Sequence, residues 1–206
     1  MVKQNKKYGF TLAECLIAMS IIGILLAIVL PSVILKTQEK KDAAMYDKAY
    51  ATMTKVVAEL VNDEDLYPEN KEDDDSNGLA NTVAINVKGK NYSGDTKFCE
   101  LFASRLKILK KGNDGDANSE YGCKKALTIA EGGNFTTIDG IVWSLPIGDM
   151  KDGGIIAFDI KTVSETKSCW EYADTNDCSG GKKANKFPFK VTKNGTITRA
   201  QKSETK

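Results

Sequence analysis

Histidine is absent from all 206 residues of this chain. That removes Ser-His-Asp and Cys-His catalysis outright. It also withdraws the usual zinc ligands, because the cysteines form no C-x-x-C pair. There is no G-x-x-x-x-G-K-[ST] loop to hold a nucleotide phosphate and no G-x-G-x-x-G turn to seat a dinucleotide. Carboxylate pairs occur, but in acidic loops where neither a fixed separation nor a raised pKa is expected. A surplus of one charge is missing too: 29 basic residues face 28 acidic ones, a net +1, which gives no reason for strong unspecific nucleic-acid binding by the whole chain. These absences predict a protein that is not an enzyme and that carries neither cofactor nor metal.

What is present is concentrated at the start. Residues 6 to 30 read KKYGFTLAECLIAMSIIGILLAIVL. A short basic leader ends at Gly9, and a long apolar run follows with one carboxylate, Glu14. After Glu14 no charge appears until Lys36, so Cys15 to Leu35 is long enough to cross a bilayer as a helix. An acid near the start of such a segment is costly, and intramembrane acids are usually paired. Cutting between Gly9 and Phe10 would create the missing cation, the new amine of Phe10. The 29 basic residues include Lys3, Lys6 and Lys7, so removing residues 1–9 would leave 26 against 28 acids, a net −2. An ordinary secretory signal has a shorter apolar core, with its cleavage site after it; a plain uncleaved signal anchor is the alternative reading.

The pattern K-x-G-F-T-L-x-E before about twenty apolar residues resembles the leader and N-terminal helix of type IV pilins and type II secretion pseudopilins. Lys7, Gly9, Phe10, Thr11, Leu12 and Glu14 carry the resemblance, with Gly23 and Pro31 inside the helix. Ala13 departs from it, where many members carry an acidic or bulky apolar residue. The resemblance implies cleavage after Gly9 by a prepilin peptidase, methylation of the Phe10 amine, and a salt bridge from Glu14 to that amine on a neighbouring subunit. It implies a pilin-like α+β fold, a long N-terminal helix packed on a small antiparallel sheet. The divisions expected are a leader at 1–9, a membrane and filament-core helix at 10–35, its amphipathic continuation at 36–62, and a head at 63–206. The expected partners are like subunits in a homopolymer, the peptidase and assembly machinery, and the bacterial inner membrane before assembly, with the head outside the cytoplasm. The alternative function is a minor pilin or membrane-anchored module that binds DNA, a surface or a secreted substrate.

The rest of the chain is legible in parts. Pro31 removes a backbone donor, so a kink or local melting is expected there, with Gly23 a second weak point. Tyr46, Ala49, Tyr50, Met53, Val56, Val57, Leu60 and Val61 recur at helical spacing and predict a face that packs on the head. Lysines precede and follow the span in equal number, so charge leaves orientation nearly tied. Cys99, Cys123, Cys169 and Cys178 break the tie, because an even set suggests two disulfides and an oxidising compartment. Three pairings exist; proximity favours Cys99–Cys123 and Cys169–Cys178, and four buried thiols are the alternative. Cys15 reads as a small apolar side chain.

Residues 97 to 110 have the spacing of a second helix. Thr137–Leu145, Gly154–Lys161, Phe187–Thr192 and Thr196–Arg199 read as strands, the last two joined at Asn194-Gly195, where both residues tolerate positive φ. Asp73 to Asp75 and the NDGDANSE run at 113–120 invite a cation, though solvated charge explains them as well. From residue 182 on, Lys182, Lys183, Lys186, Lys190, Lys193, Arg199, Lys202 and Lys206 face only Glu204. With Trp170 and Tyr172 upstream they would suit DNA; the plainer reading is a solubilising face.

Overall fold

The computed structural model describes Gly9 and residues 11–69, 71, 73–160, 169–179 and 184–205. The leader before Gly9, Phe10, Lys182, Lys183 and Lys206 lie outside the described residues. The chain divides into two units, one ending at Lys41 and one running from Asp42 to Lys206.

Helix α1 spans Leu12–Val61, 50 residues. It is helical without a break through Gly23 and Pro31. In the first unit its described apolar side chains are exposed: Leu12 is 81% exposed and Ile28 70%. Among the described residues it is the one helix long and apolar enough to cross a membrane. In the second unit α1 turns amphipathic, and Ala49, Met53, Val56, Val57 and Leu60 are buried. Tyr46 and Val61 are half-buried at the edge of this face, and Tyr50 stays partly exposed.

That face covers a six-stranded antiparallel sheet, β3 to β8 in sequence order. Two short strands, β1 (Ile85–Val87) and β2 (Lys90–Tyr92), pair separately before helix α2 (Lys97–Ser104). The sheet then comprises β3 (Ile108–Lys111), β4 (Phe135–Thr137), β5 (Ile141–Ser144), β6 (Gly154–Ile160), β7 (Lys186–Val191) and β8 (Ile197–Arg199). Consecutive strands are neighbours throughout, a meander in which residues 112–134 link β3 to β4 and residues 161–185 link β6 to β7. Phe158 and Phe187 meet Tyr46 at ring distances of 5.9 and 4.7 Å, and Phe102 of α2 meets Trp143 at 5.5 Å. Each fully buried aromatic or aliphatic side chain is worth roughly 1.5–3 kcal/mol, so this aromatic seam fixes how α1 seats on the sheet.

The structure corrects three expectations. The second helix stops at Ser104, and Ile108–Lys111 is a strand. Leu109 has helical spacing with Leu106, yet it is 67% exposed, while Ile108 pairs opposite Thr137 and packs on the core. The Thr137–Leu145 strand is two strands with a turn over residues 138–140. In the β7–β8 hairpin only Gly195 has positive φ, at 78°. The Gly195 N–H donates to Thr192 O at 2.9 Å, so Lys193 and Asn194 are the central residues and glycine takes the left-handed position after them.

β7 also differs from simple alternation. Phe187, Phe189 and Val191 face the main core, but Pro188 is buried as well. A small second cluster of Ile129, Val142, Ala157 and the half-buried Trp170 lies on the sheet face away from α1. The Pro188 carbonyl accepts from Ala200 N at 3.0 Å, just past the end of β8. The donor that proline lacks would point the same way, toward Ala200 O, which instead accepts from Ala173 N at 2.9 Å.

Candidate processing and assembly site

Thr11 and Glu14 form the start of α1. The Thr11 N–H and hydroxyl both donate to Glu14 Oε2 at 2.8 Å, and Glu14 N donates back to Thr11 Oγ1 at 3.3 Å. This is a capping box: a threonine just before the helix and a glutamate three residues on satisfy each other's orphan donors. The sequence reading names Thr11 as part of the motif but not as the cap that pairs with Glu14. The T-x-x-E spacing ahead of an apolar run was the signal. The same device recurs at Thr128 and Glu131, where it caps a short turn over Ile129–Glu131.

Gly9 is exposed, and a side chain there would meet no described atom within 4 Å. Packing against the described residues therefore does not require a glycine at this place. Gly23 is equally free of neighbours. Phe10, the residue whose amine cleavage would expose, lies outside the described residues. Cys15 carries a free, exposed thiol one residue beyond Glu14.

In the second unit Cys99 is bonded to Cys123, and Cys169 to Cys178. The first ties α2 to the loop after β3; the second closes the segment that carries Trp170. Cys169, Cys178 and Asp177 lie close enough to suggest a metal site, but both thiols are spent in the disulfide.

In both acidic loops a lysine of the same chain holds the place considered for a cation. Lys111 Nζ donates to Ala117 O and Ser119 O at 2.7 and 2.6 Å. Lys193 Nζ donates to Asp74 O at 3.1 Å and pairs with Asp75 at 3.4 Å. Asp73 caps the turn at Asp74–Ser76, and the Ser76 hydroxyl holds its carboxyl below the usual carboxylate range.

The described basic residues of the C-terminal part are engaged within the chain. Lys190 pairs with Glu204 at 2.8 Å, and Arg199 pairs with Glu171 and donates to the Tyr46 hydroxyl at 2.6 Å. Trp170 and Tyr172 stack on each other at 5.9 Å, with Lys186 and Lys202 beside the two rings.

Lys97, at the start of α2, was not foreseen. It is 1% exposed, its ammonium has no hydrogen-bond partner, and it sits 4.4 Å from the ring centroid of the buried Tyr67. Burial pulls its pKa down to about 8 and pushes that of Tyr67 up.

Comparison with curated proteins and with solved structures finds no match for the chain. A family model described as the prokaryotic N-terminal methylation motif does match, over residues 4–30. The match covers residues 4–9 ahead of the helix, the Thr11–Glu14 box and much of the exposed apolar stretch of α1, and the chain therefore carries the prepilin-type signal of type IV pilins and pseudopilins.

Proposed function

We propose that this protein is a structural subunit of a type IV pilus or a type II secretion pseudopilus, not an enzyme. The observation that carries this reading is the methylation motif over residues 4–30 joined to a helix whose apolar side chains, from Leu12 to Ile34, are exposed. Such a surface needs lipid or a bundle of like helices around it. The subunit begins in the inner membrane with its leader in the cytoplasm and its disulfide-bonded head outside. Prepilin peptidase cuts between Gly9 and Phe10 and methylates the new amine. Residues from Phe10 to about Leu35 then leave lipid for the filament core. Trading lipid contacts for contacts with equivalent helices sacrifices little apolar burial, and the charge pair between Glu14 and a neighbour's Phe10 amine sets the register.

Mass spectrometry of the protein from its native host tests this reading. The expected mature chain begins at N-methylated Phe10 and is found in sheared surface material or in a periplasmic fibre. A chain that keeps Met1 or Val2 would leave only a tethered head. Recovery of the subunit in surface fibres or only in the envelope separates pilus from pseudopilus.

A further inference from the structure

The sheet face away from α1 carries a groove that the reading above leaves unused. Its volume is about 400 Å³, and Leu127, Leu145, Pro146, Ile155, Pro188 and Trp170 line it among others. That size falls at the low end of the roughly 300–1,000 Å³ of small-molecule sites. Three hydroxyls also line the groove, and each is spent within the chain. Ser144 Oγ donates to Leu127 O at 2.6 Å, Thr128 Oγ1 to Glu131 at 2.9 Å and Thr205 Oγ1 to Lys202 O at 3.0 Å. Glu204, the one carboxylate among the described lining residues, is paired with Lys190 at 2.8 Å. Such walls suit an apolar body that asks for no hydrogen bond; a sugar ring or a peptide backbone would lose its own bonds to water there.

The rim differs from the walls. Trp170 and Tyr172 stack on each other at 5.9 Å, and both border the groove. Lys186 Nζ stands 5.5 Å from the Trp170 ring centroid, and Lys202 Nζ 5.9 Å from that of Tyr172. Neither ammonium is paired with a carboxylate among the described residues. The nearby acids Asp174 and Asp177 accept instead from the backbone N–H of Lys202 and Trp170, at 3.1 and 2.6 Å. Two cations over ring faces, beside an apolar trough whose own acid is neutralised, select a negative group attached to an apolar chain.

We propose that this groove binds a free, single-chain anionic amphiphile of the fatty-acid class. The hydrocarbon chain lies along the walls, and the carboxylate meets Lys186 and Lys202 at the rim. The modest volume favours one acyl chain over two. The proposal goes beyond the filament reading and does not depend on it, since the groove belongs to the head alone.

Photolabelling of the full chain in phosphatidylcholine nanodiscs tests this, with a diazirine-bearing octanoate as the probe. Label should fall on peptides covering 126–129, 144–147 or 155–157, should saturate, and should be displaced by plain octanoate. Octanol and octylamine share the tail without the negative charge. They should displace the label roughly five- to tenfold less well, the scale of one or two partly exposed charge contacts. Lys186→Gln with Lys202→Gln should weaken octanoate by the same factor while octanol competition and the thermal unfolding midpoint stay level. Octylamine that competes as well as octanoate, or a double variant that binds octanoate as before, would overturn the proposal. Label confined to residues 12–35 would overturn it too, because it reports only partition into the bilayer. Displacement by phosphatidylglycerol added to the nanodiscs would assign the groove to a two-chain lipid and remove the free fatty acid. None of these outcomes touches the filament reading.

Discussion

At the scale of single residues, Thr11 and Glu14 hold two roles in tension. Within one chain the Glu14 carboxylate is satisfied by Thr11; in a filament it is proposed to serve a neighbour's amine as well. A carboxylate has about four acceptor sites, so the cap and the amine can share it. Glu14→Ala should leave the chain in the membrane but cut sheared fibre by roughly tenfold or more, the loss expected when one half of a desolvated charge pair goes. Thr11→Val removes only the cap hydroxyl and should cost at most a few-fold. Equal losses from the two variants would place the effect in the cap. Lys97 gives a prediction of a different kind. The unfolded chain takes up a proton on this lysine below about pH 10.4, the folded chain only below about 8. Between those values unfolding binds a proton, so stability falls as the pH is lowered. Over that window about 3 kcal/mol is lost, at about 1.4 kcal/mol per pKa unit. Thermal unfolding of Lys97→Met should show a higher Tm at pH 7 and no slope between pH 8 and 10. An unchanged slope would assign it to another group. Neither Thr11 as a cap nor Lys97 as a buried cation follows from residue type alone. The first is a spacing that was there to be read, whereas the second exists only because α2 packs its first residue against Tyr67.

At the scale of elements, what was legible is what is local. The β7–β8 hairpin announced itself by Asn194-Gly195, and the packing face of α1 by its three- and four-residue steps. Close spacing in sequence pointed to the Cys169–Cys178 pairing. β3 was misread because Leu106 and Leu109 satisfy a helix period as well as an edge strand, and only the pairing of Ile108 with Thr137 decides between them. The second layer on the outer face was invisible for a similar reason. It brings together Ile129, Val142, Ala157 and Trp170 from four separate segments. The disulfides are the covalent counterpart of these contacts. They close separations of 24 and 9 residues, and loop-closure entropy assigns each about 3 kcal/mol. Replacing Cys99 and Cys123 together by alanine should lower the unfolding free energy of the full chain in detergent by about that much. Replacing Cys169 and Cys178 should cost somewhat less, since the loop is shorter, and should loosen Trp170 from the outer face. Trp fluorescence during denaturant unfolding reads both. A larger loss from the shorter loop would mean that strain or packing, rather than chain entropy, governs these bonds.

At the scale of the whole molecule, the apolar helix and the motif ahead of it bear on one charge, Glu14. The apolar surface of α1 demands an environment that the head does not provide, and the motif over residues 4–30 says what prepares the helix for it. The fold of the head could vary without altering that demand, which is why the N-terminal motif was more legible than the sheet. A side chain at Gly9 would meet no described atom within 4 Å, so a larger residue there is not expected to disturb the described fold. Gly9→Leu should therefore leave the head folded and membrane-anchored, with the leader retained and no fibre made. If the purpose of cleavage is to generate the cation that Glu14 meets, then Gly9→Leu and Glu14→Ala remove two halves of one interaction. Effects of residues that act as a unit do not add. The double variant should lose no more fibre than the worse single variant, measured as sheared subunit relative to membrane-bound subunit. To resolve the difference, the singles must leave measurable fibre, which co-expression with the unsubstituted chain provides by diluting the variant into mixed filaments. A double variant whose incorporation falls by the product of the two single losses would show that cleavage and Glu14 act through separate steps, and the charge-pair account of assembly would then fail.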